Sequence, residues 1–290
     1  MKKTFCEYDP VHPKLSSMRV LIFDNLLREP SDLAETAAGE KDFDRDAWLD
    51  EERYIASLAI ENISQNVRKL VRNAHIQISH LSEFTESHIQ KFEPEAIILS
   101  GTLRDFDLYN PDLLLNFKYV LPRLQVPILG ICGGHQLIGW SYGVPVVTLD
   151  CVEPKDKRND RLREYEYCFV RITEENDPIF GGLSERRRSW FAFTQDRRYL
   201  RVWQNHGLML QRLPHGFVSL AKGHRCPIQM MVRRTEQNLI YSVQFHIEKS
   251  FEDWNKLPSR WEHHNESRDG RLIFENFLSE AQKFRVRCTG

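Results

Sequence analysis

Apolar residues in the first half of the chain fall in short runs, and longer polar or amphipathic stretches separate these runs. The runs predict four buried strands, at residues 19–23, 75–78, 96–99 and 126–131. Between the first two lies a charged stretch, residues 44–71, whose apolar residues recur at helical spacing. Strands that alternate with helices predict a parallel sheet, with sites at the carboxyl ends of the strands.

The second half of the chain has shorter apolar runs separated by turn residues. These predict strands at residues 169–172, 201–203, 217–221, 228–232 and 239–245. Residues 270–284 predict a closing amphipathic helix, because Leu272, Phe274, Phe277 and Leu278 fall on one apolar face. We find no repeat and no low-complexity linker. The pattern therefore predicts one α/β domain with a doubly wound, mixed but mostly parallel sheet flanked by helices.

The predicted domain covers residues 18–285, between an N-terminal extension (1–17) and a short tail (286–290). Two segments, 26–72 and 151–200, look added to the minimum that such a domain needs. The second includes a charged stretch at residues 153–166 and a basic cluster at residues 186–188. These charges are either a solvated surface or a docking surface or lid for an acidic partner or substrate tail. The sequence leaves both interpretations open.

Composition narrows the possible functions. With 40 Lys and Arg against 41 Asp and Glu, the formal net charge of −1 calls for neither a nucleic acid nor a membrane as partner. The N-terminus lacks the apolar core of a signal peptide, and no stretch approaches the ~20 apolar residues of a membrane span, so we expect a cytoplasmic protein.

No pattern in the chain predicts a metal or a cofactor. The six cysteines include no C-x-x-C pair, which argues against a zinc ribbon, a redox dithiol and a disulfide framework. Neither an H-E-x-x-H motif nor a glycine-rich phosphate loop is present. We therefore expect no metal, no cofactor and no bound nucleotide.

One cysteine lies where a nucleophile is expected. Cys132 follows the strand at residues 126–131 and precedes a helix predicted to start near His135. Gly130 and Gly134 flank it in a G-x-C-x-G pattern, which allows the sharp strand-to-helix turn that exposes a nucleophile. The start of the helix directs backbone NH groups and its positive dipole end toward the sulfur, which favours thiolate over thiol.

A cysteine nucleophile needs a base, and the base needs an orienting partner. His246 and Glu248 follow the predicted strand at residues 239–245 and lie two residues apart. In extended chain, residues at this spacing point to the same side. Cys132, His246 and Glu248 are therefore the predicted catalytic triad.

Several separate blocks, in order, resemble the class I glutamine amidotransferase family. The elbow and the late Q-F-H-I-E segment match its G-x-C-x-G and Q-F-H-P-E motifs. Further matching blocks are I-L-S-G at 98–101, D-P-I-F-G-G-L at 177–183, N-H-G-L at 205–208, L-P-H-G-F at 213–217 and C-P-I at 226–228. The resemblance covers about residues 19–278 and extends to the related γ-glutamyl hydrolases. It implies a flavodoxin-like α/β fold.

The resemblance also implies roles for individual residues. Backbone NH groups near Gly101, Thr102 and Gly133 would form the oxyanion hole. Gln136 and the loop of Asn205, His206, Gly207 and Leu208 would hold the substrate glutamine, although Gln136 could equally be a surface polar group and the loop a strand-end turn. Cys132 would attack the γ-carboxamide to form a glutamyl thioester, and His246 would protonate the departing ammonia.

The chain departs from the family pattern at two positions. Ile247 replaces the usual proline between base and acid, and we expect activity to survive this change. Thr102 stands where the family commonly has a second glycine in the oxyanion loop. Threonine disfavours positive φ, so a loop that required such a conformation would misaim this donor.

The fate of the nitrogen stays open at this point. The chain could be a glutaminase that passes ammonia to a separate synthetase subunit, because it contains no ATP-using synthetase domain. It could instead be a stand-alone hydrolase of a γ-glutamyl amine or peptide. A non-catalytic binding module is disfavoured, because all three triad positions are filled.

Overall fold

The computed structural model describes residues 12–156, 160–183, 198–249 and 268–289. Five parallel strands form the first half of its main sheet: β1 (Leu15–Asp24), β2 (Val71–His80), β3 (Ala96–Leu99), β4 (Ile128–Ile131) and β11 (Leu239–Val243). Their order is β2-β1-β3-β4-β11. β4 and β11 are direct neighbours in parallel register, with Ile131 opposite Val243. The segments that follow these two strands therefore begin side by side.

Antiparallel strands continue the sheet beyond β11, in the order β10-β9-β6-β7. They are β6 (Glu164–Ile172), β7 (Tyr199–His206), β9 (Val218–Lys222) and β10 (Met230–Arg234). Two short strands, β5 (Val146–Thr148) and β8 (Leu208–Leu210), pair in a separate small sheet. The backbone NH of His246 donates to the carbonyl of Trp203 in β7 at 2.8 Å, which ties the end of β11 to this half of the sheet.

Helices cover both faces of the main sheet. They are α1 (Arg45–Leu70), α2 (Glu86–Phe92), α3 (Pro111–Val120), α4 (Gly133–Ser141) and α5 (Arg268–Thr289). The C-terminal part of α1 and the apolar face of α5 share one core, while α2, α3 and α4 pack in the other. None of the helices in the described residues is long and apolar enough to cross a membrane.

Helix α1 begins where its sequence supplies a cap. Asp44 has an extended backbone, and its carboxylate accepts hydrogen bonds from the NH groups of Asp46 and Ala47. α1 connects β1 to its parallel neighbour β2, so much of segment 26–72 is the crossover of a β-α-β unit.

The structure confirms the predicted fold class and all nine predicted strands, with boundaries that differ by a few residues. β5, β8, α2 and α3 were not predicted. β6, within segment 151–200, is a strand of the main sheet. The basic cluster at residues 186–188 lies outside the described residues.

Candidate active site

Cys132 occupies the turn between β4 and α4 in a strained conformation, with φ 51° and ψ −104°. A Cβ atom on Gly134 would lie 2.5 Å from the carbonyl oxygen of Leu99, and one on Gly130 would lie 2.7 Å from the carbonyl oxygen of Gly134. Positions 130 and 134 must therefore both be glycine for the turn to close. α4 begins at Gly133, directly after the cysteine and two residues before the predicted start at His135. The thiol thus lies at the N-terminus of the helix.

His246 and Glu248 follow β11 and face each other. The Nδ1 atom of His246 lies 2.6 Å from the Oε1 atom of Glu248; the Glu248 side chain is buried, and the His246 side chain is 11% exposed. If Nδ1 carries the proton that it donates to the carboxylate, Nε2 is left to accept or deliver the reacting proton. Nε2 is buried, and the His246 side chain interacts with Cys132 through charge and a side-chain hydrogen bond.

The pKa values of these two groups shift in opposite directions. Burial lowers the pKa of His246, but the charges of Glu248 and Cys132 outweigh it and raise this pKa to about 9. Burial raises the pKa of Glu248, and the charge and hydrogen bond of His246 outweigh it, so this pKa is lowered. The pair is therefore an imidazolium and a carboxylate at neutral pH.

Gly101 shows how close the cysteine and the histidine are. A Cβ atom on Gly101 would lie 3.5 Å from the Cε1 atom of His246 and 3.6 Å from the Cβ atom of Cys132. Both side chains therefore border the same point of the loop after β3. The structure thus brings the three predicted triad residues together at the carboxyl ends of β4 and β11.

Thr102 packs directly over the start of α4. A Cβ atom on Gly133 would lie 2.6 Å from the backbone nitrogen of Thr102, so the predicted oxyanion donors adjoin each other. Thr102 is not among the non-glycine residues with positive φ in the described chain. The loop therefore does not impose on Thr102 the conformation that threonine disfavours.

The predicted substrate-binding residues differ in what their side chains contact. Gln136 is buried, and its amide nitrogen donates to the carbonyl oxygen of Leu208 at 3.0 Å and to Oε1 of Gln244 at 3.1 Å. The His206 ring donates from Nδ1 to the same carbonyl at 2.9 Å and places Nε2 3.0 Å from Glu164. His206 is thus engaged within the protein.

One cavity of about 160 Å³ joins most of the predicted site. It is lined by Cys132, Gln136, residues 102–105, residues 161–163 and residues 205–208. Residues 161–163 belong to the charged stretch of segment 151–200, so part of that stretch lies against the site. The described residues contain no group of His, Cys, Asp or Glu that could hold a metal ion.

Sequence reasoning missed Gln244, whose amide nitrogen lies 3.7 Å from the Cys132 sulfur and can donate to it. Its sequence signal is its position two residues before His246, on the same side of an extended chain. Because its Oε1 accepts from Gln136, Gln244 links the cysteine to a predicted substrate-binding residue.

Sequence reasoning also missed the contacts that hold the loop after β3. The Arg104 guanidinium stacks on the Trp48 ring at 3.8 Å and lies 2.6 Å from Glu51 and 3.4 Å from Glu52, all in α1. These contacts cross more than 50 residues of sequence and have no local signal. They fix the loop that carries the predicted oxyanion donors.

Residues 57–262 match the family described as glutamine amidotransferase class-I. This match covers more than half of the chain and includes Cys132, His246 and Glu248. The chain belongs to the class-I glutamine amidotransferase family. Members of this family are enzymes. The matched part contains the elbow at Cys132, the His246–Glu248 pair after β11, and residues 205–208, where β7 meets β8.

Relatives of this amidotransferase-family chain include proteins named GMP synthase [glutamine-hydrolyzing]. The one from Ralstonia pickettii is 30% identical over 191 residues, which are 64% of this chain and 31% of the relative. The one from Methylibium petroleiphilum is 28% identical over 226 residues, 76% of this chain and 35% of the relative. The chain thus spans about a third of the length of these curated relatives.

Two solved structures resemble the fold over nearly its whole length. A candidate GMP synthase subunit from Thermoplasma acidophilum has a TM-score of 0.60 at 20% identity, and the match covers 94% of this chain and 98% of that one. A glutamine amidotransferase from Methylobacillus flagellatus has a TM-score of 0.50 at 13% identity, covering 93% and 96%. At these identities the likeness concerns the fold.

Proposed function

We propose that this family member is a cysteine-dependent glutamine amidohydrolase that releases glutamate and ammonia, the ammonia serving a separate synthetase. The observation that carries the proposal is the His246–Glu248 pair at 2.6 Å beside the strained Cys132. A base held by a buried carboxylate next to a nucleophile on an elbow is the arrangement that acyl transfer requires.

In the first step, the Cys132 thiolate attacks the carbonyl carbon of the side-chain amide. The carbon–nitrogen bond of the tetrahedral intermediate then breaks, and His246 delivers a proton from Nε2 so that nitrogen leaves as ammonia. The raised pKa of His246, about 9, keeps that proton on the imidazole at neutral pH. Glu248 holds the ring through Nδ1 and stabilises its cationic form.

In the second step, water attacks the glutamyl thioester. His246, now neutral, accepts a proton from the water, and Cys132 leaves as thiolate when the carbon–sulfur bond breaks. Glutamate is released, and the imidazole carries its proton again. The enzyme thus returns to its starting protonation state without a cofactor.

The negative charge that develops on the amide oxygen needs donors near the start of α4. The backbone NH groups of Gly133 and of the Gly101–Thr102 loop are the groups we assign to this task. Their adjacency, with the Thr102 nitrogen packed over Gly133, supports the assignment. One such donor contributes roughly 10²- to 10³-fold in rate.

Chemistry and the names of the relatives support a proposal for the ammonia acceptor. Relatives of this chain are named GMP synthase [glutamine-hydrolyzing], and the ammonia that a glutaminase releases needs an enzyme that uses it. We therefore propose a separate synthetase partner.

A second candidate function is a stand-alone γ-glutamyl amide hydrolase. It is favoured by the open mouth of the cavity, where Leu103 and Leu162 are each about 40% exposed and could contact a larger leaving group.

The direct test is release of glutamate and ammonia by the purified chain from L-glutamine and from a panel of γ-glutamyl amines. Cys132→Ala should abolish turnover, whereas Cys151→Ala, at an exposed cysteine, should leave it unchanged. Turnover of glutamine above the amines supports the glutaminase, and the reverse supports the hydrolase. Turnover that survives Cys132→Ala would contradict both.

A further inference from the structure

Three arginines line the cavity beside Cys132, and two of them are neutralised by carboxylates. Arg104 is held by Glu51 and Glu52 of α1. Arg161 lies 2.5 Å from Asp105, which also lines the cavity. These two arginines therefore contribute to the structure of the loop and offer little net charge to a ligand.

Arg163 is different. Within the described residues its side chain makes no hydrogen bond or ion pair, although the residue lines the same cavity as Cys132 and Gln136. Its Cγ atom lies 3.6 Å from the position that a Cβ atom on Gly207 would take. The aliphatic stem is thus packed beside Gly207, between β7 and β8, and the residue is exposed where it lines the cavity.

The carboxylates that border this part of the cavity in the described ranges are already engaged. Asp105 is held by Arg161, and Glu164, the next residue in the chain, lies 3.0 Å from His206 and accepts from Gln229 at 2.8 Å. Both carboxylates therefore have partners other than Arg163 among the described residues. A guanidinium presents paired donors that match the two oxygens of a carboxylate.

We propose that Arg163 binds a carboxylate of the substrate and thereby selects γ-glutamyl compounds that carry one. This inference rests on the proposed amide hydrolysis at Cys132. The carboxylate has two possible sources: the α-carboxylate of the glutamyl half, or a carboxylate on the leaving amine. Both share the chemistry that Arg163 recognises, and suitable substrates separate them.

The test compares kcat/KM of the unchanged chain and of Arg163→Gln on four amides. L-glutamine and γ-glutamyl methylamide carry the α-carboxylate alone, γ-glutamylglycine carries a second carboxylate on the leaving amine, and L-glutamine α-amide carries none. If the α-carboxylate is bound, Arg163→Gln lowers kcat/KM about 10-fold on the first three, mainly through KM, and not on the α-amide. If the leaving-group carboxylate is bound, only γ-glutamylglycine is affected.

An equal loss on all four amides, or no loss on any, overturns the inference. Arg163→Lys should restore part of the selectivity, because it returns the charge without the planar fork. Arg72→Gln, at an exposed arginine of β2, should change nothing.

Calorimetric binding of L-glutamine and its α-amide to the Cys132→Ala chain, with and without Arg163→Gln, gives a second readout that needs no turnover. If Arg163 binds the α-carboxylate, Arg163→Gln weakens binding of glutamine alone. If Arg163→Gln changes neither turnover nor binding, this inference alone is refuted. Absence of Cys132-dependent turnover of every amide refutes the proposed function, and absence of any binding refutes both.

Discussion

The side-chain amide of Asn66 donates a hydrogen bond of 2.9 Å to the backbone carbonyl oxygen of Glu248. Asn66 is buried in α1, and the same amide nitrogen also donates to the carbonyl oxygen of Asn62 at 2.7 Å. Helix α1 thus supports the acid of the candidate triad directly. Through Arg104, the same helix also supports the oxyanion loop.

Replacing Asn66 with alanine should weaken both stability and catalysis. The Glu248 carbonyl would lose a buried donor, so we expect a loss of about 1 to 3 kcal/mol in the free energy of unfolding. The kcat for amide hydrolysis should fall more than KM changes, since Asn66 acts through Glu248. Glu61→Ala, at an exposed position of the same helix, is the matched control in urea unfolding and steady-state kinetics. A fully active, fully stable Asn66→Ala protein would refute this support role.

Removing the charge of Glu248 should lower the pKa of His246. With Glu248→Gln, burial is no longer outweighed by the carboxylate, so this pKa should fall from about 9 toward or below 6.5. We expect hydrolysis at pH 7 to fall by roughly 10² to 10⁴. An NMR titration of ring-labelled histidine measures the shift, with His246→Gln to assign the signal. An unchanged titration midpoint would show that Glu248 does not hold the imidazolium.

The same pair makes stability depend on pH with a defined sign. The raised pKa of His246 stabilises the fold fully below its ordinary value of 6.5, and this contribution is lost as pH rises through about 9. The lowered pKa of Glu248 contributes above its ordinary value of 4.5 and is lost as pH falls. The difference in unfolding free energy between the unchanged chain and Glu248→Gln should therefore be largest between pH 4.5 and 6.5. A difference that grew toward pH 9 would contradict this assignment.

Glu52 adds a separate dependence of stability on pH. Burial raises its pKa to about 7, against the Leu27 NH and the Arg104 charge that lower it, while Asp24 and Glu51 raise it further. The folded chain therefore holds a proton that the unfolded chain releases near pH 4.5, and stability falls as pH rises from 4.5 through 7.

Glu52→Gln should remove this fall. Relative to the unchanged chain, the variant should gain up to about 3 kcal/mol in unfolding free energy between pH 4.5 and pH 8. Urea unfolding at several pH values measures the gain, and Glu61→Gln provides an exposed control on the same helix. Parallel stability profiles for Glu52→Gln and the unchanged chain would show that Glu52 is ionised throughout.

Thr102→Gly should not improve catalysis. Since Thr102 does not adopt positive φ, glycine relieves no strain at this position and only adds freedom to the unfolded chain, at a cost of about 0.5 to 1 kcal/mol. We expect kcat/KM within about threefold of the unchanged chain or below it. A tenfold gain would mean that threonine misaims an oxyanion donor after all.

The sequence predicts those parts of the site that local spacing determines. The elbow around Cys132 follows from two flanking glycines, and the pairing of His246 with Glu248 follows from their spacing of two in extended chain. The parallel strands follow from apolar runs that a doubly buried sheet requires.

Contacts between distant segments could not be predicted in this way. Asn66 and Glu248 are 182 residues apart in sequence, and nothing local to either indicates the partner. The same holds for the contacts of Arg104 with residues of α1 and for the packing of Arg163 beside Gly207. The three-residue strands β5 and β8 are too short to show a periodic pattern, and they form only because each pairs with the other.

The most direct test of the proposed mechanism is the covalent intermediate itself. The chain is mixed with L-glutamine, quenched in acid within one turnover, and measured by intact-mass spectrometry with peptide mapping. We predict a γ-glutamyl adduct on Cys132, absent from Cys132→Ala and accumulating further in His246→Gln loaded with an activated glutamyl ester. Turnover without any adduct on Cys132, or an adduct on another cysteine, would contradict the mechanism.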